Sequence, residues 1–158
     1  MAGGEISSGL LLFRRRGGAL EVLLVHPGGP FWRRRDLGAW SIPKGAPLPG
    51  EDMSAAARRE FAEETGFAPE GALLPLGEIR QKAGKRVEAF ALEGDLDAEA
   101  ISSNRFEMEW PPRSGRRASF PEVDRAGWFG LPEARERILE AQAPLIDRLE
   151  RLCSEGGG

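Results

Sequence analysis

The most informative stretch of the chain, residues 45–67, reads GAPLPGEDMSAAARREFAEETGF. Glycine and proline interrupt its first half, whereas Met53–Thr65 contains neither and is rich in alanine, glutamate and arginine. This composition predicts a helix, with Asp52 as the N-cap and Gly66 as the residue that ends it. The stretch therefore predicts a loop that leads directly into a highly charged helix.

Three glutamates share one side of this predicted helix. At 3.6 residues per turn, Glu63 lies about 60° to one side of Glu60 and Glu64 about 40° to the other. Carboxylates this close raise each other's pKa unless a cation compensates their charge. Ligands that offer only oxygen favour a hard cation, so the arc suits Mg²⁺ or Mn²⁺ better than zinc. A solvated charged face is the alternative, because 30% of the residues are charged.

Arg59 precedes Glu60 in the sequence but points about 100° away from it around the helix. This direction places the guanidinium to orient a neighbouring carboxylate, such as Glu63 or Glu51, rather than to occupy the position of the cation. We therefore expect Arg59 to support the carboxylate arc from its flank.

The net charge of the chain coincides with this segment. The 158 residues include 25 acids and 22 bases, a net charge of −3, and residues 51–64 alone carry five acids and two bases. Such mild acidity argues against a protein that holds long nucleic acid on a uniform basic surface, whereas local basic patches and small anionic ligands stay possible. The acidic excess lies where a cation is expected.

Hydrophobic residues make up 41% of the chain, which is enough for one core that buries roughly two-thirds of the unfolded surface. Cys153 is the one cysteine, which excludes an intrachain disulfide and fits a reducing cytoplasm. The longest apolar run near the start, residues 10–13, is far shorter than a membrane span or a signal-peptide core. We expect a soluble cytoplasmic protein without a membrane segment, whose residues 1–158 form one domain.

Strands precede and follow the charged helix. Two apolar runs joined by Gly17 and Gly18 predict a β-hairpin, and residues 27–50 predict a long loop that carries a brief strand. Residues 86–93 have the composition of a strand that is covered on both faces. The predicted strands are 6–13, 20–25, 39–42, 73–81, 86–93, 106–110 and 123–129, and the predicted C-terminal helices are 132–141 and 144–152. This order predicts an α/β sandwich around a mixed β-sheet.

The spacing of the polar residues indicates a family. Residues 45–67 resemble the Nudix box, in which apolar residues occupy the places of Phe61 and Phe67. The matching spacing is Gly45, five residues, Glu51, seven residues, Arg59-Glu60-Phe61, one residue, Glu63-Glu64, one residue and Gly66-Phe67. Seven fixed polar or glycine positions match across 23 residues without a gap. Residues 40–44, WSIPK, also resemble the segment that leads into the box in this superfamily.

This resemblance implies a Nudix-type α/β/α sandwich around a mixed β-sheet. It also implies a hydrolase that uses Mg²⁺ or Mn²⁺ to cleave a nucleoside diphosphate linked to another group. The implied roles are metal binding for Glu60, Glu64 and a backbone carbonyl at Lys44 or Gly45, metal binding or proton abstraction for Glu63, and positioning of the carboxylates for Arg59 and Glu51.

A further glutamate is implied outside the box. Residues 120–129, FPEVDRAGWF, resemble the late strand of the diadenosine polyphosphate hydrolases, which place a glutamate six residues before a tryptophan. Glu122 is therefore the candidate for an additional ligand or base. Glu107 and Glu109 are rivals for this role, and a solvated loop carboxylate is the alternative interpretation of Glu122.

Substrate contacts are less specific in the sequence. The tyrosine of the diadenosine polyphosphate hydrolases and the proline of the ADP-ribose group are both missing from their places, which lie near Lys82. Basic residues at Lys44, Arg80 and Lys82 are candidates to bind a polyphosphate chain, although lysines in hairpin turns are usually solvated. Trp32 precedes three arginines and is a candidate to stack a base.

The leading hypothesis is a metal-dependent pyrophosphohydrolase whose small-molecule substrates are dinucleoside polyphosphates or related nucleotides. The alternatives are the same chemistry on oxidised nucleotides, diphosphoinositol phosphates or RNA 5′ ends, and a non-catalytic Nudix module that senses a nucleotide. His26, the one histidine, is expected to be structural, and Trp40 is expected in the core wall. A homodimer is possible, and long nucleic acid is not an expected partner.

Overall fold

The structure is a computed structural model that describes residues 5–156, and its centre is a mixed β-sheet. The strands are β1 (Ile6–Arg16), β2 (Ala19–Pro27), β3 (Lys44–Gly45), β4 (Leu74–Arg80), β5 (Arg86–Glu93), β6 (Arg105–Glu109), β7 (Arg117–Pro121) and β8 (Val123–Gly130). The helices are α1 (Met53–Thr65), α2 (Leu131–Arg137) and α3 (Ala143–Gly156). Among these residues, no helix is both long and apolar enough to cross a membrane.

The sheet has the order β4-β5-β1-β2-β8, with β3 paired to the start of β1. β1 runs parallel to β5, and the other neighbours are antiparallel. The expected hairpin β1–β2 is present, β4 and β5 form a second hairpin, and α1 lies in the long connection that makes the parallel pairing possible. The predicted mixed sheet is confirmed.

Side chains of the central strands alternate between two apolar layers. On β1, Leu11 and Phe13 pack in the layer that also contains buried residues of α2 and α3. Leu10 and Leu12 point to the opposite layer, which contains Phe61 of α1. β5 contributes to both layers as its composition predicted, so the structure confirms an α/β/α sandwich.

The long loop forms a wedge between β1 and β2. The two strands pair only near their shared turn, and residues 40–45 enter where they separate. Ser41 exchanges two backbone hydrogen bonds with Val25, and the backbone N–H of Leu10 donates to Pro43. The strand expected at residues 39–42 is thus reduced to isolated bridges, and the paired segment is β3, because the wedge meets β2 before it reaches β1.

The helix α2 is shorter than the sequence predicted. It ends at Arg137 instead of residue 141, because the chain leaves the helix to pair with the wedge: Trp40 N–H donates to the carbonyl of Arg137, and Leu139 N–H donates to that of Trp40. The apolar stripe of α3 is as expected, since Leu145, Ile146 and Leu149 are all buried.

A second, two-stranded sheet stands apart from the central one. β6 pairs with β7 in antiparallel register, from Arg105 opposite Pro121 to Glu109 opposite Arg117. The sequence predicted a strand at residues 106–110 but gave no strand at β7, whose five residues carry no long apolar run. The sheet ends immediately before Glu122, which leads into β8.

Candidate active site

The helix α1 presents its charged face beside the wedge. Its buried side chains, among them Ala57 and Phe61, pack against the sheet, and this contact fixes the rotation of the helix. Asp52 occupies the N-cap position, and Gly66 ends the helix with a φ of 81° while its N–H donates to Ala62. The predicted helix and its boundaries are therefore confirmed.

Gly45 and Glu60 are in unusually close approach. A Cβ atom added to Gly45 would lie 2.1 Å from the carboxyl carbon of Glu60, so a larger residue would displace that carboxylate. β3 holds Gly45 in this position by pairing it with Ser8 of β1. The main chain of the wedge thus lies directly against the Glu60 carboxylate, as expected if both contribute to one site.

Arg59 holds three carboxylates at once. Its Nε and Nη2 donate to the two oxygens of Glu51 at 2.9 and 3.0 Å, and its Nη1 donates to Glu60 at 2.9 Å and to Glu63 at 3.0 Å. Nη2 also donates to the carbonyl of Ala46. The hydrogen bonds to Glu51 are the main reason that the pKa of Arg59 is raised, and those same bonds lower the pKa of Glu51. The guanidinium therefore lies beside the carboxylate arc, where the helix geometry predicted it.

Glu64 is the most perturbed carboxyl group of the site. Burial is the main cause that raises its pKa to about 8, and the nearby charge of Glu60 adds to the effect. Burial likewise raises the pKa of Glu60, although Arg59 opposes that shift. Lys44 is also largely buried, which lowers the pKa of its ammonium. The protein alone therefore stabilises the ionised form of Glu64 poorly.

A cavity of about 240 Å³ opens beside Glu64. Lys44 and Trp32 line it, and Glu122 lies on its wall although its sequence position is far from the box. The two rival glutamates belong to the exposed β6 strand, where Glu107 pairs with Arg117 and Glu109 accepts from the N–H of Gly115. Of the three carboxylates considered outside the box, Glu122 is thus the one that shares a cavity with Glu64.

A second cavity of about 460 Å³ shares Trp32 and Leu139 with the first. Lys82 and Lys85 line it from the turn between β4 and β5, together with Arg35. Arg80, in contrast, lines neither cavity and is exposed at the end of β4. Trp32 therefore lines both cavities, Lys44 lines the first and Lys82 the second, and Arg80 lines neither.

The donor chemistry of the site fits a divalent cation. Glu60, Glu63 and Glu64 offer only oxygen, and the buried charge of Glu64 is the kind that a bound cation stabilises. Within residues 5–156, no three acidic, histidine or cysteine side chains converge as a metal cluster. Glu60 and Glu63 instead turn an oxygen to Arg59. The residues are those that a hard cation requires, and Arg59 neutralises part of their charge.

A sequence model of the NUDIX domain matches residues 5–149. The chain belongs to the Nudix family. This match covers most of the chain and extends well beyond the 23-residue box. Nudix hydrolases generally use divalent metal ions, which agrees with the donor set.

The curated relatives match a smaller part of this Nudix protein. RNA pyrophosphohydrolases from two strains of Caulobacter vibrioides are each 50% identical to it over 50 residues. This similarity covers 28% of the chain and 29% of each relative. The chain thus spans less than a third of the length of the curated relatives that it matches.

Solved structures share the fold over almost the whole chain. The C. elegans Ap4A hydrolase in a binary complex has a TM-score of 0.66 and 21% identity, covering 96% of this chain and 99% of that one. The NUDIX domain of Shewanella oneidensis NrtR complexed with ADP ribose has a TM-score of 0.67 and 19% identity, covering 96% and 90%. At these identities the likeness establishes the fold.

Gln142 and His26 are fully buried polar residues that contact segments around the cleft, and the sequence pointed only to His26. Gln142 accepts from the N–H of Ile42 at 3.1 Å and donates to Ser41 at 3.0 Å and to Gln81 at 2.9 Å, so it ties the wedge to the end of β4. Its sequence surroundings carry no signal, because a single glutamine before a helix is common. His26 is fully buried, with its ring nitrogens 2.9 Å from the Asp124 carboxylate and 2.6 Å from a backbone carbonyl, as a structural histidine should be.

Proposed function

We propose that this chain, as one cytoplasmic Nudix hydrolase domain, is a divalent-cation-dependent pyrophosphohydrolase. It cleaves a nucleoside diphosphate linked to another group and prefers dinucleoside polyphosphates or related nucleotides. The observation that carries the proposal is the buried Glu64 carboxylate, which shares a cavity with Lys44, Trp32 and Glu122 and lies next to the carboxylates held by Arg59. Such a cavity would place the nucleobase and phosphates of a nucleotide next to a bound cation.

The cation would be held by Glu60 and Glu64, with Glu63 and the main chain at Gly45 beside them. When bound, it would neutralise diphosphate oxygens and lower the pKa of a water molecule. Arg59 keeps Glu60 and Glu63 from separating, and its fork to Glu51 fixes the guanidinium itself. The chain thereby holds its acidic side chains together before any ligand arrives.

Glu122 is the best placed group to accept the proton of the attacking water. It lines the same cavity as Glu64, and within residues 5–156 its carboxylate forms no ion pair that would hold it elsewhere. Glu63, in contrast, is held by Arg59 at 3.0 Å. Glu63 is the alternative base, since it is also the least buried of the three box carboxylates that contact Arg59.

The two cavities that share Trp32 favour a substrate with two nucleotide parts. Trp32 offers a ring face for a base, while Lys44 in the first cavity and Lys82 in the second offer charge for the phosphates. The fold shared with an Ap4A hydrolase is consistent with this preference. RNA 5′ ends are the second candidate, supported by the 50-residue match to the Caulobacter enzymes.

The test is a substrate panel in which the products are identified. Purified protein with Mg²⁺ or Mn²⁺ is incubated with dinucleoside polyphosphates, nucleotide sugars, nucleoside triphosphates, oxidised nucleotides, diphosphoinositol phosphates and 5′-triphosphorylated RNA. We expect turnover that requires the cation and that Glu64→Gln abolishes. Glu70→Gln, which changes an exposed glutamate beyond α1, is the matched control and should behave as wild type.

Two results would count against the proposal. Absence of turnover on the whole panel, with tight binding of one nucleotide, would favour a non-catalytic sensor. Full activity in Glu64→Gln would show that the box carboxylates do not perform the chemistry. If another substrate class is turned over at a much higher rate, the proposed reaction stands but the proposed substrate is wrong.

A further inference from the structure

An arginine-rich surface with exposed aromatic rings adjoins the cleft. It consists of residues 31–35 of the long loop and residues 105–121 of the two-stranded sheet, and we name it the arginine–aromatic surface. The ring of Phe31 meets that of Trp110 edge to face, with 5.4 Å between centroids, and Phe106 lies against Gly29. These contacts join two segments that are distant in sequence into one continuous surface.

The charge of this surface is opposite to that of the whole protein. Its two segments contain seven arginines and two glutamates, a formal charge of +5 on a chain whose net charge is −3. Arg33, Arg34, Arg113 and Arg116 are exposed, and in the part of the chain that the structure describes they form no ion pair. Exposed arginines without acidic partners are available to bind an anion.

The surface begins at the rim of the catalytic cleft and extends well beyond it. Trp32, the neighbour of Phe31, lines the cavity with Glu64, and Glu122 follows directly after β7. At about 3.3 Å per residue, the six residues from Glu122 back to Arg116 span roughly 20 Å. Phosphates held at the cleft therefore cannot reach Arg116, and the distal arginines require a longer anionic ligand.

We propose that the arginine–aromatic surface binds the single-stranded RNA chain that extends from a 5′-phosphorylated end seated in the cleft. Arginines that contact phosphates and rings that stack bases are the usual means of binding single strands without sequence preference. Phe31, which is 62% exposed, and its neighbour Trp110 supply the rings. An acidic protein partner could bind the arginines but would not need the exposed rings, so the observations favour RNA as the partner.

Binding is tested first, without metal and without chemistry. The probe is a fluorescent 5′-hydroxyl RNA of about twelve nucleotides, and its anisotropy is measured in EDTA. Each phosphate contact releases counterions, and this release raises affinity about four-fold at ~0.15 M salt. The double variant Arg113→Ala with Arg116→Ala loses two such contacts, so it should bind about 15-fold more weakly, and its affinity should depend less on salt concentration. The control pair Arg16→Ala with Arg151→Ala removes the same charge from exposed positions on β1 and α3 and should change little.

The aromatic contribution is tested by Phe31→Ala. We expect about five-fold weaker binding or more, since stacking on one ring is lost. Leu37→Ala shortens another exposed apolar side chain of the same loop and should leave binding unchanged. If the Arg113/Arg116 variant and the Arg16/Arg151 variant bind the RNA probe with equal affinity, the proposal is overturned. Displacement of the RNA by a polyglutamate peptide at similar concentration would also overturn it and point to an acidic protein.

Kinetics then connect the surface to the cleft, a step that rests on the proposed function. The ratio of kcat/KM for 5′-triphosphorylated RNA to kcat/KM for a dinucleoside tetraphosphate should fall about 15-fold in the Arg113/Arg116 variant and stay constant in the control pair. An unchanged ratio in both would refute the RNA path. Absence of turnover on either substrate by wild type would instead refute the proposed function, while the metal-free binding would still decide whether the surface binds RNA.

Discussion

The substitution Glu64→Gln should make the metal-free protein more stable while it removes activity. Burial is the main cause of the raised pKa of Glu64, so the folded protein prefers this side chain in its neutral form. Glutamine has nearly the same shape as a protonated glutamate and cannot ionise. The substitution therefore removes a cost that the wild-type protein bears whenever Glu64 is charged.

The sign and size of this effect follow from the two pKa values. With a folded pKa of about 8 and an ordinary value near 4.5, the folded state binds the proton more tightly, so the stability present below pH 4.5 is lost as pH rises toward 8. The loss amounts to about 3 kcal/mol at pH 7 and roughly 4 to 5 kcal/mol at pH 9. The variant keeps this stability, so the difference between the two proteins should grow across that range.

The assay is denaturant unfolding of both proteins in EDTA at several pH values between 4.5 and 9. At pH 7 the variant should also melt about 6 to 12 °C higher, since 1 kcal/mol corresponds to about 2 to 4 °C for a chain of this length. Lys44 interacts with Glu64, and burial lowers the pKa of its ammonium. Lys44→Met and the double variant therefore complete a cycle that separates the two groups.

Magnesium should reverse the order of the two proteins. A cation that binds the folded wild type stabilises it by an amount that rises with the logarithm of its concentration above the dissociation constant, whereas the variant lacks the charged ligand and should gain much less. Equal stability of wild type and Glu64→Gln at pH 5 and at pH 9 in EDTA would refute the reasoning, because Glu64 would then ionise without cost. If the Glu64→Gln variant were stabilised but retained full activity, the buried charge of Glu64 would not be needed for catalysis.

Three further substitutions test the supports of the site. Arg59→Lys loses the fork that holds Glu51, so kcat/KM and metal affinity, measured by kinetics and calorimetry, should fall about 10- to 100-fold. Gly45→Ala drives a methyl group into Glu60, and a displacement of this kind should lower kcat about 100-fold in steady-state assays. Gln142→Leu leaves the buried N–H of Ile42 without its acceptor, so denaturant unfolding should show a loss of about 2 to 4 kcal/mol.

Matched variants distinguish these effects from general damage. Arg58 donates to backbone carbonyls after α1 rather than to the carboxylates, so Arg58→Lys should keep the activity that Arg59→Lys loses. A Cβ atom on Gly130 would meet nothing within 4 Å, so Gly130→Ala should be tolerated. Wild-type stability in Gln142→Leu would mean that water or a neighbour replaces its hydrogen bonds.

The sequence predicted the layered fold well where its signals were strong. Helix α1 begins and ends at the predicted residues, because Asp52 takes the extended backbone conformation of an N-cap and Gly66 the left-handed one that ends a helix, and both are local properties of the chain. It did not predict the early end of α2, because that end depends on hydrogen bonds from Trp40, almost a hundred residues away. The brief strand near Ile42 was misplaced for the same reason, since its partner is chosen by the space between β1 and β2.

The arc of glutamates and the flanking arginine could be derived from the primary structure, because positions three and four apart on a helix always lie together. The burial of Glu64, the approach of Glu122 and the placement of Trp32 could not, because each depends on which distant segments the fold brings to the wedge. Helical periodicity is a local property of the backbone, whereas desolvation and cavity shape arise from everything packed around a group. The sequence of the Nudix box therefore determines the donor atoms, and the tertiary structure determines their environment.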